Sequence, residues 1–410
     1  MGVLVNILFL SIGRLNNIAD NGIYTDLLRE FRDNGHNVFV ISPREKRLNL
    51  PTEHSVEEGV NFLRVKIGNI TKVNLVEKGI STIMIENLFL KELKKYYADI
   101  KFDLVLYSTP PITFDKVIRY VKKRDGANSY LLLKDIFPQN AVDLNIFNKK
   151  GPFYWYFRHK EKNLYRNSDF IGCMSKANVD YVLKHNSNID PETVEVCPNS
   201  IEPMNIQVLE NDRVQIRKKY DIPKNKTVFV YGGNLGKPQG INFLIDCIRA
   251  NENNKQSYFL IVGSGTEFGK LENFFNKENP KNAKLLSQLP KIDYELLANS
   301  CDVGLIFLDK RFTIPNFPSR LLSYMQASMP VLAATDINTD IGKVMESGNF
   351  GYWCESENLK EFNQLVNKLC DGELRVRLGK NARNYLKNNY AVKHSYKIIM
   401  SHFNKEEKRY

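Results

Sequence analysis

The stretch Val228 to Cys247 reads VFVYGGNLGKPQGINFLIDC, in which an apolar run gives way to a glycine-rich turn and apolar residues then return at helical spacing. We predict a strand that ends at Tyr231, the turn GGNLGKPQG and a helix that begins near Pro238. Glycines let a backbone approach a ligand closely, and a helix N-terminus offers free N–H groups and a positive dipole. The pattern therefore predicts an anion, such as a phosphate, at this turn.

The glycine spacing differs from two familiar phosphate-binding patterns. It is neither the GxGxxG of dinucleotide-binding proteins nor the GxxxxGK[ST] of the P-loop, which argues against NAD and ATP as ligands. A structural interpretation remains open, in which the glycines only shape a tight turn between a strand and a helix.

A second helix start is predicted in IPNFPSRLLSYMQASMPV, Ile314 to Val331. The helix is expected to begin at about Pro318 or Ser319 and to end before Pro330. This places the Ser319 hydroxyl, free N–H groups and the Arg320 guanidinium at a helix N-terminus, which suits a diphosphate. A serine that only caps a core helix is the structural alternative.

Short apolar runs alternate with segments of helical spacing along the chain. The predicted strands are Val5–Ser11, Asn37–Ser42, Asn61–Ile67, Leu104–Tyr107, Tyr130–Leu133, Phe170–Met174, Val194–Cys197, Thr227–Tyr231, Tyr258–Val262, Val303–Phe307, Val331–Ala334 and Gly351–Cys354. The predicted helices of the first half are Gly22–Asn34, Val76–Tyr97, Thr113–Arg124, Pro152–Arg166 and Lys176–His185. This alternation predicts an α/β protein with parallel sheets covered by helices.

A polar segment without sustained periodicity, Pro198 to Asn211, separates the two halves. We predict an N-terminal domain at 1–203, a C-terminal domain at 204–390, and a C-terminal helix at 391–410 that can return to the first domain. Two doubly wound, Rossmann-like domains are expected to face each other across a cleft, with ligands at the carboxyl ends of the strands.

The composition limits the class of protein. The 410 residues carry a net charge of +12, and 43% are hydrophobic. Lys and Arg are spread along the chain without a nucleic-acid-binding signature, so no nucleic-acid partner is expected. Neither a signal peptide nor 18 uninterrupted apolar residues are found, which predicts a cytoplasmic location. The six cysteines form no CxxC pair and are interpreted as reduced core residues.

An aromatic and basic segment offers a reason for the excess positive charge. The residues Phe147 to Arg166, FNKKGPFYWYFRHKEKNLYR, hold seven aromatics and six Lys or Arg but a single acid. Helical spacing would place Phe153, Phe157 and Leu164 near one face, with Lys160 close to it and flanking charges at Arg158 and Lys162. Such a helix is typical of an anionic membrane surface. The alternative is that the apolar face packs on the sheet and the charges are solvated.

Taken in order, ten segments resemble the GT-B glycosyltransferases of family four, particularly the branch that builds bacterial capsule and O-antigen repeat units and includes L-fucosamine transferases. The segments are DNGIYTDLLREFRDNGHNVFVISP, STPP, KDIFPQNAVDL, CMSKAN, CPNSI, the glycine turn, FLIVGSG, LPKIDYELLANSCDVGLI, PSRLLSYMQASMPVLA and LGKNARNYL. The resemblance covers nearly the whole chain.

The resemblance implies a retaining transfer of a sugar from a nucleoside diphosphate, usually UDP, without an obligatory metal or other cofactor. Neither a DxD motif nor a metal-ligand cluster is found, and Arg320 and Lys237 would neutralise the departing diphosphate. Asp135 would face the cleft from a strand end, unless it caps the next turn. The implied donor-side residues are Gly233, Asn234, Gly236, Gln239, Gly263, Leu289, Pro290, Lys291, Asn316, Phe317, Pro318, Ser319 and Ser323. The implied acceptor-side residues are Asn21, Gly22 and Pro110.

The sequence departs from the family pattern at three positions. Where many members carry Glu-x7-Glu, this chain has Pro315 and Ser323, and where many carry Arg in the glycine turn it has Asn234. The resemblance therefore leaves open which groups recognise the ribose and place the sugar.

The implied acceptor is a saccharide on polyprenyl diphosphate, which would hold the protein peripherally at the inner face of the cell membrane. Two other functions share the expected fold. A UDP-sugar 2-epimerase would need carboxylates and histidines in the cleft, but the chain has only six histidines and none lies in a cleft-forming motif. A sugar-nucleotide-binding subunit without activity is compatible with the missing carboxylates.

Overall fold

The computed structural model describes residues 4–71, 73, 75–204 and 210–403. The chain divides into two compact units. The first comprises the residues up to Glu202 together with those from Ala391 onward, and the second runs from Pro203 to Tyr390. Each unit is a Rossmann-like α/β unit built on a largely parallel sheet, which confirms the predicted fold class.

The first unit contains an eight-stranded sheet in the order β3-β4-β2-β1-β5-β6-β7-β8. All neighbouring strands are parallel except β3 and β4, which form an antiparallel hairpin. The strands are β1 (Asn6–Leu10), β2 (Asn37–Glu45), β3 (Glu53–Glu57), β4 (Val60–Ile67), β5 (Leu104–Ser108), β6 (Asn128–Leu133), β7 (Phe170–Cys173) and β8 (Val194–Val196). The helices are α1 (Ile23–Asp33), α2 (Leu75–Tyr96), α3 (Asp115–Asp125), α4 (Gln139–Asp143), α5 (Pro152–Asn167) and α6 (Lys176–His185).

Alternate residues of β1 pack into different apolar clusters. Ile7 and Phe9 belong to one cluster, and Leu8 and Leu10 belong to another. All four side chains are fully buried. Since successive side chains of a strand point to opposite faces, both faces of this sheet are covered. This explains why the strands read as continuous apolar runs in the sequence.

The second unit contains a six-stranded sheet that is parallel throughout, in the order β11-β10-β9-β12-β13-β14. The strands are β9 (Thr227–Asn234), β10 (Ser257–Ser264), β11 (Ala283–Ser287), β12 (Val303–Phe307), β13 (Val331–Thr335) and β14 (Gly351–Glu355). The helices are α7 (Glu210–Lys219), α8 (Ile241–Ala250), α9 (Phe268–Glu278), α10 (Lys291–Asn299), α11 (Arg320–Gln326), α12 (Ile341–Gly348), α13 (Leu359–Leu369) and α14 (Gly372–Asn389).

The last helix, α15 (Val392–Ser401), belongs to the first unit and packs on α1. Tyr396 makes an edge contact with Phe31, with ring centroids 5.2 Å apart, and its hydroxyl lies 3.0 Å from Nε2 of His36. The Val392 N–H donates to the Ile201 carbonyl at 3.0 Å. These contacts attach α15 to the first unit.

Two details of the glycine turn differ from the sequence prediction. Strand β9 continues past Tyr231 to Asn234, because its last residues pair in register with the end of β10. A short 3-10 turn at Lys237–Gln239 and a left-handed Gly240, with φ 55°, come before α8. The regular helix therefore begins at Ile241 and not near Pro238.

The described cysteines are free, and five of the six are buried. This agrees with their interpretation as reduced residues of the apolar cores.

Candidate functional site

The predicted donor-side residues follow the carboxyl ends of neighbouring strands in the second sheet. Gly233 and Asn234 close β9, and Gly263 lies at the end of β10. The segment that leads to Arg320 follows β12, on the other side of β9. Because all these strands are parallel, the structure brings the segments to one edge of the sheet.

Two glycines at this edge are required by close packing. A Cβ atom on Gly263 would lie 1.9 Å from the Gly233 carbonyl oxygen, and one on Gly232 would lie 1.7 Å from the Tyr294 hydroxyl oxygen. Gly233 differs, because it is exposed and has a φ of 122°. Gly263 is thus explained by the packing of strand ends, whereas Gly233 offers open backbone to a ligand.

Gln239 holds the glycine turn together. Its buried Oε1 accepts hydrogen bonds from the Gly236 N–H at 3.0 Å and from Nδ2 of Asn234 at 3.2 Å. Gln239 was predicted to line the diphosphate side of a ligand pocket, but this oxygen is already committed to the turn. Asn234 and Lys237 are exposed at the same turn.

Arg320 lies directly beside the glycine turn. Its guanidinium carbon is 4.1 Å from the centre of the Tyr231 ring, and its Nη2 is 3.6 Å from the position of a Cβ on Gly233. Its Nη1 is buried without a hydrogen-bond partner. Burial raises the pKa of Tyr231 to about 12, with the guanidinium opposing that rise, so the phenol stays neutral. An unpaired buried guanidinium nitrogen is costly, and an anion would satisfy it.

Two tyrosines that no sequence pattern singled out support this arrangement. The Tyr231 hydroxyl donates to the Asn234 carbonyl at 2.7 Å. The buried Tyr324 hydroxyl lies 3.1 Å from the carbonyl oxygens of both Val230 and Leu305. In the sequence, Tyr324 is one residue of the apolar segment that forms α11, and no motif indicates that it contacts β9.

The segment before α11 was predicted to lie beside a donor sugar. Asn316 accepts a hydrogen bond through its carbonyl oxygen, and the Phe317 ring is buried. Ser319 is the N-cap residue of α11, but its side chain makes no capping hydrogen bond. The alternative that this serine only caps a core helix is therefore not supported. Pro318 is half-buried, and Ser323 is exposed one turn into the helix.

The segment Leu289–Lys291 was predicted to hold a nucleobase. It follows β11, two strands away from β9 at the same edge of the sheet. Pro290 is the N-cap residue of α10, and Lys291 is the first residue of that helix. Both are exposed and Leu289 is half-buried.

The predicted acceptor-side residues also meet at one sheet edge, in the first unit. Asn21 and Gly22 follow β1, Pro110 follows β5 and Asp135 follows β6, and these strands are neighbours in the order β1-β5-β6. The Gly22 N–H donates to Oδ1 of Asp26 at 2.9 Å, so that donor is already used. Asn21 and Pro110 are exposed.

Asp135 has the properties of a functional carboxyl group. Burial raises its pKa to about 6, although Nδ2 of Asn140 donates to Oδ1 at 2.8 Å and opposes the rise. Burial lowers the pKa of the adjacent Lys134 to about 8, and its Nζ donates to the Cys197 carbonyl at 3.3 Å. Asp135 is not the N-cap residue of α4, which is Pro138. Such shifts favour a functional role.

The aromatic segment forms α5, and Phe157 and Leu164 of its predicted apolar face pack on the core of the first unit, as the alternative interpretation expected. Leu164 is fully buried and Phe157 is half-buried, whereas Phe153 is 69% exposed. Phe153 lies in the first turn and stacks on Phe147, at 6.4 Å between ring centroids. Arg158 pairs with the buried Glu161, so it is a structural charge.

The exposed surface of α5 and the turn before it is nevertheless aromatic and basic. Trp155 is 64% exposed and Tyr156 is 39% exposed. Lys149, Lys150 and Lys162 are also exposed. We call these residues and Phe153 the α5 patch.

Within the described part of the chain, no group of three or more His, Cys, Asp or Glu side chains is placed to hold a metal ion. None of the described helices combines the length and the apolar character needed to span a membrane.

The sequence of the second unit matches a known family. Residues 212–385 match the family model of the glycosyl transferases group 1. WbjE of Pseudomonas aeruginosa, named as a glycosyltransferase, is 24% identical over 329 residues, which cover 80% of each chain. WcaI of Escherichia coli K12, named as a colanic acid biosynthesis glycosyl transferase, is 22% identical and is matched over 60% of this chain and 61% of its own.

Solved structures share the fold over nearly the whole chain. Sucrose-phosphate synthase from Thermosynechococcus elongatus has a TM-score of 0.77 at 15% identity, covering 97% of this chain and 98% of that one. WaaG, a glycosyltransferase involved in lipopolysaccharide biosynthesis, has a TM-score of 0.65 at 16% identity, with 96% and 99% covered. HepE from Anabaena in complex with UDP-glucose has a TM-score of 0.68 at 15% identity, with 97% and 99% covered. The family match, the named relatives and the shared fold together support a glycosyltransferase of the GT-B fold.

Proposed function

We propose that the protein is a retaining glycosyltransferase of family four that transfers a sugar from a UDP-sugar to a lipid-linked saccharide in bacterial surface polysaccharide biosynthesis. The main support for this function is the position of Arg320. Its Nη2 lies 3.6 Å from the position of a Cβ on the exposed Gly233, and its Nη1 is buried without a hydrogen-bond partner, at the carboxyl ends of the central strands of the second sheet. This arrangement fits the diphosphate of a nucleotide sugar.

The chemistry requires charge stabilisation at the departing diphosphate. When the bond between the sugar and the diphosphate breaks, negative charge accumulates on the phosphate oxygens. Arg320 supplies a fixed, permanently charged guanidinium, and the exposed Lys237 supplies a second, more mobile cation. The exposed backbone of Gly233 leaves room for phosphate oxygens to approach. These groups would allow transfer without a metal ion.

The donor is proposed to be a UDP-sugar, as the resemblance to family four implies. HepE, whose fold this chain shares, was solved with UDP and with UDP-glucose. Retention of the anomeric configuration also rests on the resemblance. In the first unit, Asp135 would orient the acceptor hydroxyl or stabilise a developing oxocarbenium ion.

The acceptor is proposed to be a saccharide on polyprenyl diphosphate at the cytoplasmic face of the membrane. WcaI and WaaG carry names from colanic acid and lipopolysaccharide biosynthesis, which favours a role in surface polysaccharide assembly. The α5 patch presents aromatic rings and lysines that suit an anionic lipid surface. A peripheral enzyme could reach its lipid-linked substrate there.

A panel of nucleotide sugars tests the donor assignment. We expect UDP-sugars to give saturation-transfer NMR signals and a thermal shift, with one of them giving the largest shift, while ADP-, GDP- and CMP-sugars give weaker responses. The matched variants are Arg320→Ala, which should weaken binding at least tenfold, and Arg249→Ala on the exposed surface of α8, which should bind like the wild type. Binding of a different nucleotide class with no response to UDP-sugars would contradict the donor assignment.

A further inference from the structure

The turn that follows β13 contacts the loop that leads to Arg320. The Asn338 side chain donates from Nδ2 to the Phe312 carbonyl at 2.5 Å. The Thr339 hydroxyl donates to the Asn316 carbonyl at 2.8 Å. Two side chains of one turn therefore hold two points of the loop between β12 and α11.

A buried carboxyl group organises this turn. Oδ1 of Asp336 accepts the N–H groups of Asn338 at 2.8 Å and of Thr339 at 3.1 Å. Asp336 is 1% exposed, and its Oδ2 is buried without a hydrogen-bond partner. Burial raises the pKa of Asp336 to about 6, with the two backbone donors opposing the rise. Burying this carboxyl group costs free energy, and its hydrogen bonds to the backbone fix the directions of the Asn338 and Thr339 side chains.

The same loop is tied to the glycine turn at its beginning. The Asp309 N–H donates to the Pro238 carbonyl at 2.9 Å, and the Leu308 N–H donates to the Ala334 carbonyl at 3.0 Å. The loop is therefore fixed at its start by the glycine turn and β13, and near its end by Thr339. Only three residues separate Asn316 from Arg320, so a shift at this carbonyl would move the guanidinium as well.

We propose that Thr339 and Asn338 are positioning residues for the donor, which hold the loop Phe312–Asn316 so that Arg320 meets the diphosphate. The inference rests on the proposed function of the glycine turn, and it adds a third segment, after β13, to that site. A single hydrogen bond to a loop carbonyl can matter here because small misplacements of a catalytic group are costly in rate.

The test compares Thr339→Val, which removes the hydroxyl at nearly constant volume, with Thr339→Ser, which keeps it. We expect Thr339→Val to lower kcat/KM for the UDP-sugar about tenfold and to weaken UDP binding in calorimetry, with KM for the acceptor unchanged. Thr339→Ser should stay within about twofold of the wild type. The matched control is Thr227→Val, at another buried threonine. Thr227 is the first residue of β9, at the amino ends of the strands, and its hydroxyl accepts a hydrogen bond from Arg375 at 3.1 Å. This control variant should lower Tm without changing donor kinetics.

Hydrogen exchange of the unliganded protein gives a readout that does not depend on activity. We expect faster exchange of loop amides between residues 308 and 319 in Thr339→Val and in Asn338→Ala, but not in Thr339→Ser or Thr227→Val. Unchanged exchange and donor kinetics in both loop variants, or equal impairment of Thr339→Ser and Thr339→Val, would overturn the positioning role. If the wild type itself neither bound UDP nor transferred a sugar, the proposed function would fail, and the exchange data would then decide whether the turn holds the loop at all.

Discussion

At the scale of single residues, the site of the second unit depends on one charged group with an incomplete set of partners. Arg320 is stacked on a neutral tyrosine ring, and one of its nitrogens is buried without an acceptor. Gln239, by contrast, has its buried oxygen committed to the turn. Arg320 therefore keeps an unused hydrogen-bond donor, whereas Oε1 of Gln239 is used within the turn.

Asp135 gives a prediction at the same scale. Its folded-state pKa is raised from 3.8 to about 6, so the fold disfavours the ionised carboxyl. The stability that this group contributes is present below pH 4 and is lost as the pH rises through about 6. Asp135→Asn should therefore stabilise the protein above pH 7 by up to about 3 kcal/mol, with little effect at pH 4, while transfer falls. Tm and turnover at pH 4 to 8 check this.

Two results would contradict this account of Asp135. Loss of stability in the Asn variant at pH 8 would mean that the ionised carboxyl is structural. Unchanged turnover at neutral pH would remove Asp135 from the reaction. A functional carboxylate also predicts that wild-type activity declines as the pH falls below about 6.

At the scale of elements, α5 and the turn before it carry two kinds of positive charge. Some side chains are held in contacts within the fold, and others are exposed to solvent. Arg158 bonds to the carbonyl of His185 and pairs with Glu161, so its reversal would damage the fold. The lysines of the α5 patch are exposed and lie beside exposed aromatic rings. A membrane test should therefore change these lysines and leave Arg158 intact.

We expect the triple variant Lys149→Glu, Lys150→Glu and Lys162→Glu to lose binding to vesicles that contain anionic phospholipid. Each lysine near such a surface contributes about 1 kcal/mol, so affinity should fall about 100-fold. Co-sedimentation at low salt measures this, and wild-type binding should weaken as ionic strength rises.

The matched control reverses three exposed lysines of the second unit, Lys255, Lys277 and Lys281, and has the same net charge. It should sediment like the wild type. Equal binding by the two triple variants would exclude the α5 patch as the membrane contact.

At the scale of the whole molecule, the sequence allowed the two parallel sheets and most of their elements to be predicted, because buried strands and amphipathic helices leave strong periodic patterns. The short strands β3 and β11 were missed. The EHSVE of β3 holds a single apolar residue, which is 63% exposed, and the AKLLS of β11 has only two large apolar residues, both half-buried. Neither offers enough pattern to identify a strand.

Residues of the candidate site could be predicted where they belong to a local sequence motif. Contacts between segments that are distant in the chain could not be predicted. Arg320 and the glycine turn follow from local patterns. The contacts of Tyr324 with β9 and of Thr339 with Asn316 join residues far apart in the chain or on different elements. Only the packed structure brings them together.

In the proposed reaction, this chain transfers a sugar from a UDP-sugar with Arg320 at the leaving diphosphate. The most direct measurement is UDP release together with product formation on a polyprenyl-diphosphate saccharide, in EDTA, for wild type, Arg320→Ala and Lys237→Ala. We expect equal amounts of UDP and product from the wild type, a loss of about 100-fold or more in Arg320→Ala and a smaller loss in Lys237→Ala. Wild-type turnover in Arg320→Ala, or turnover that disappears in EDTA and returns with Mg²⁺ or Mn²⁺, would contradict it.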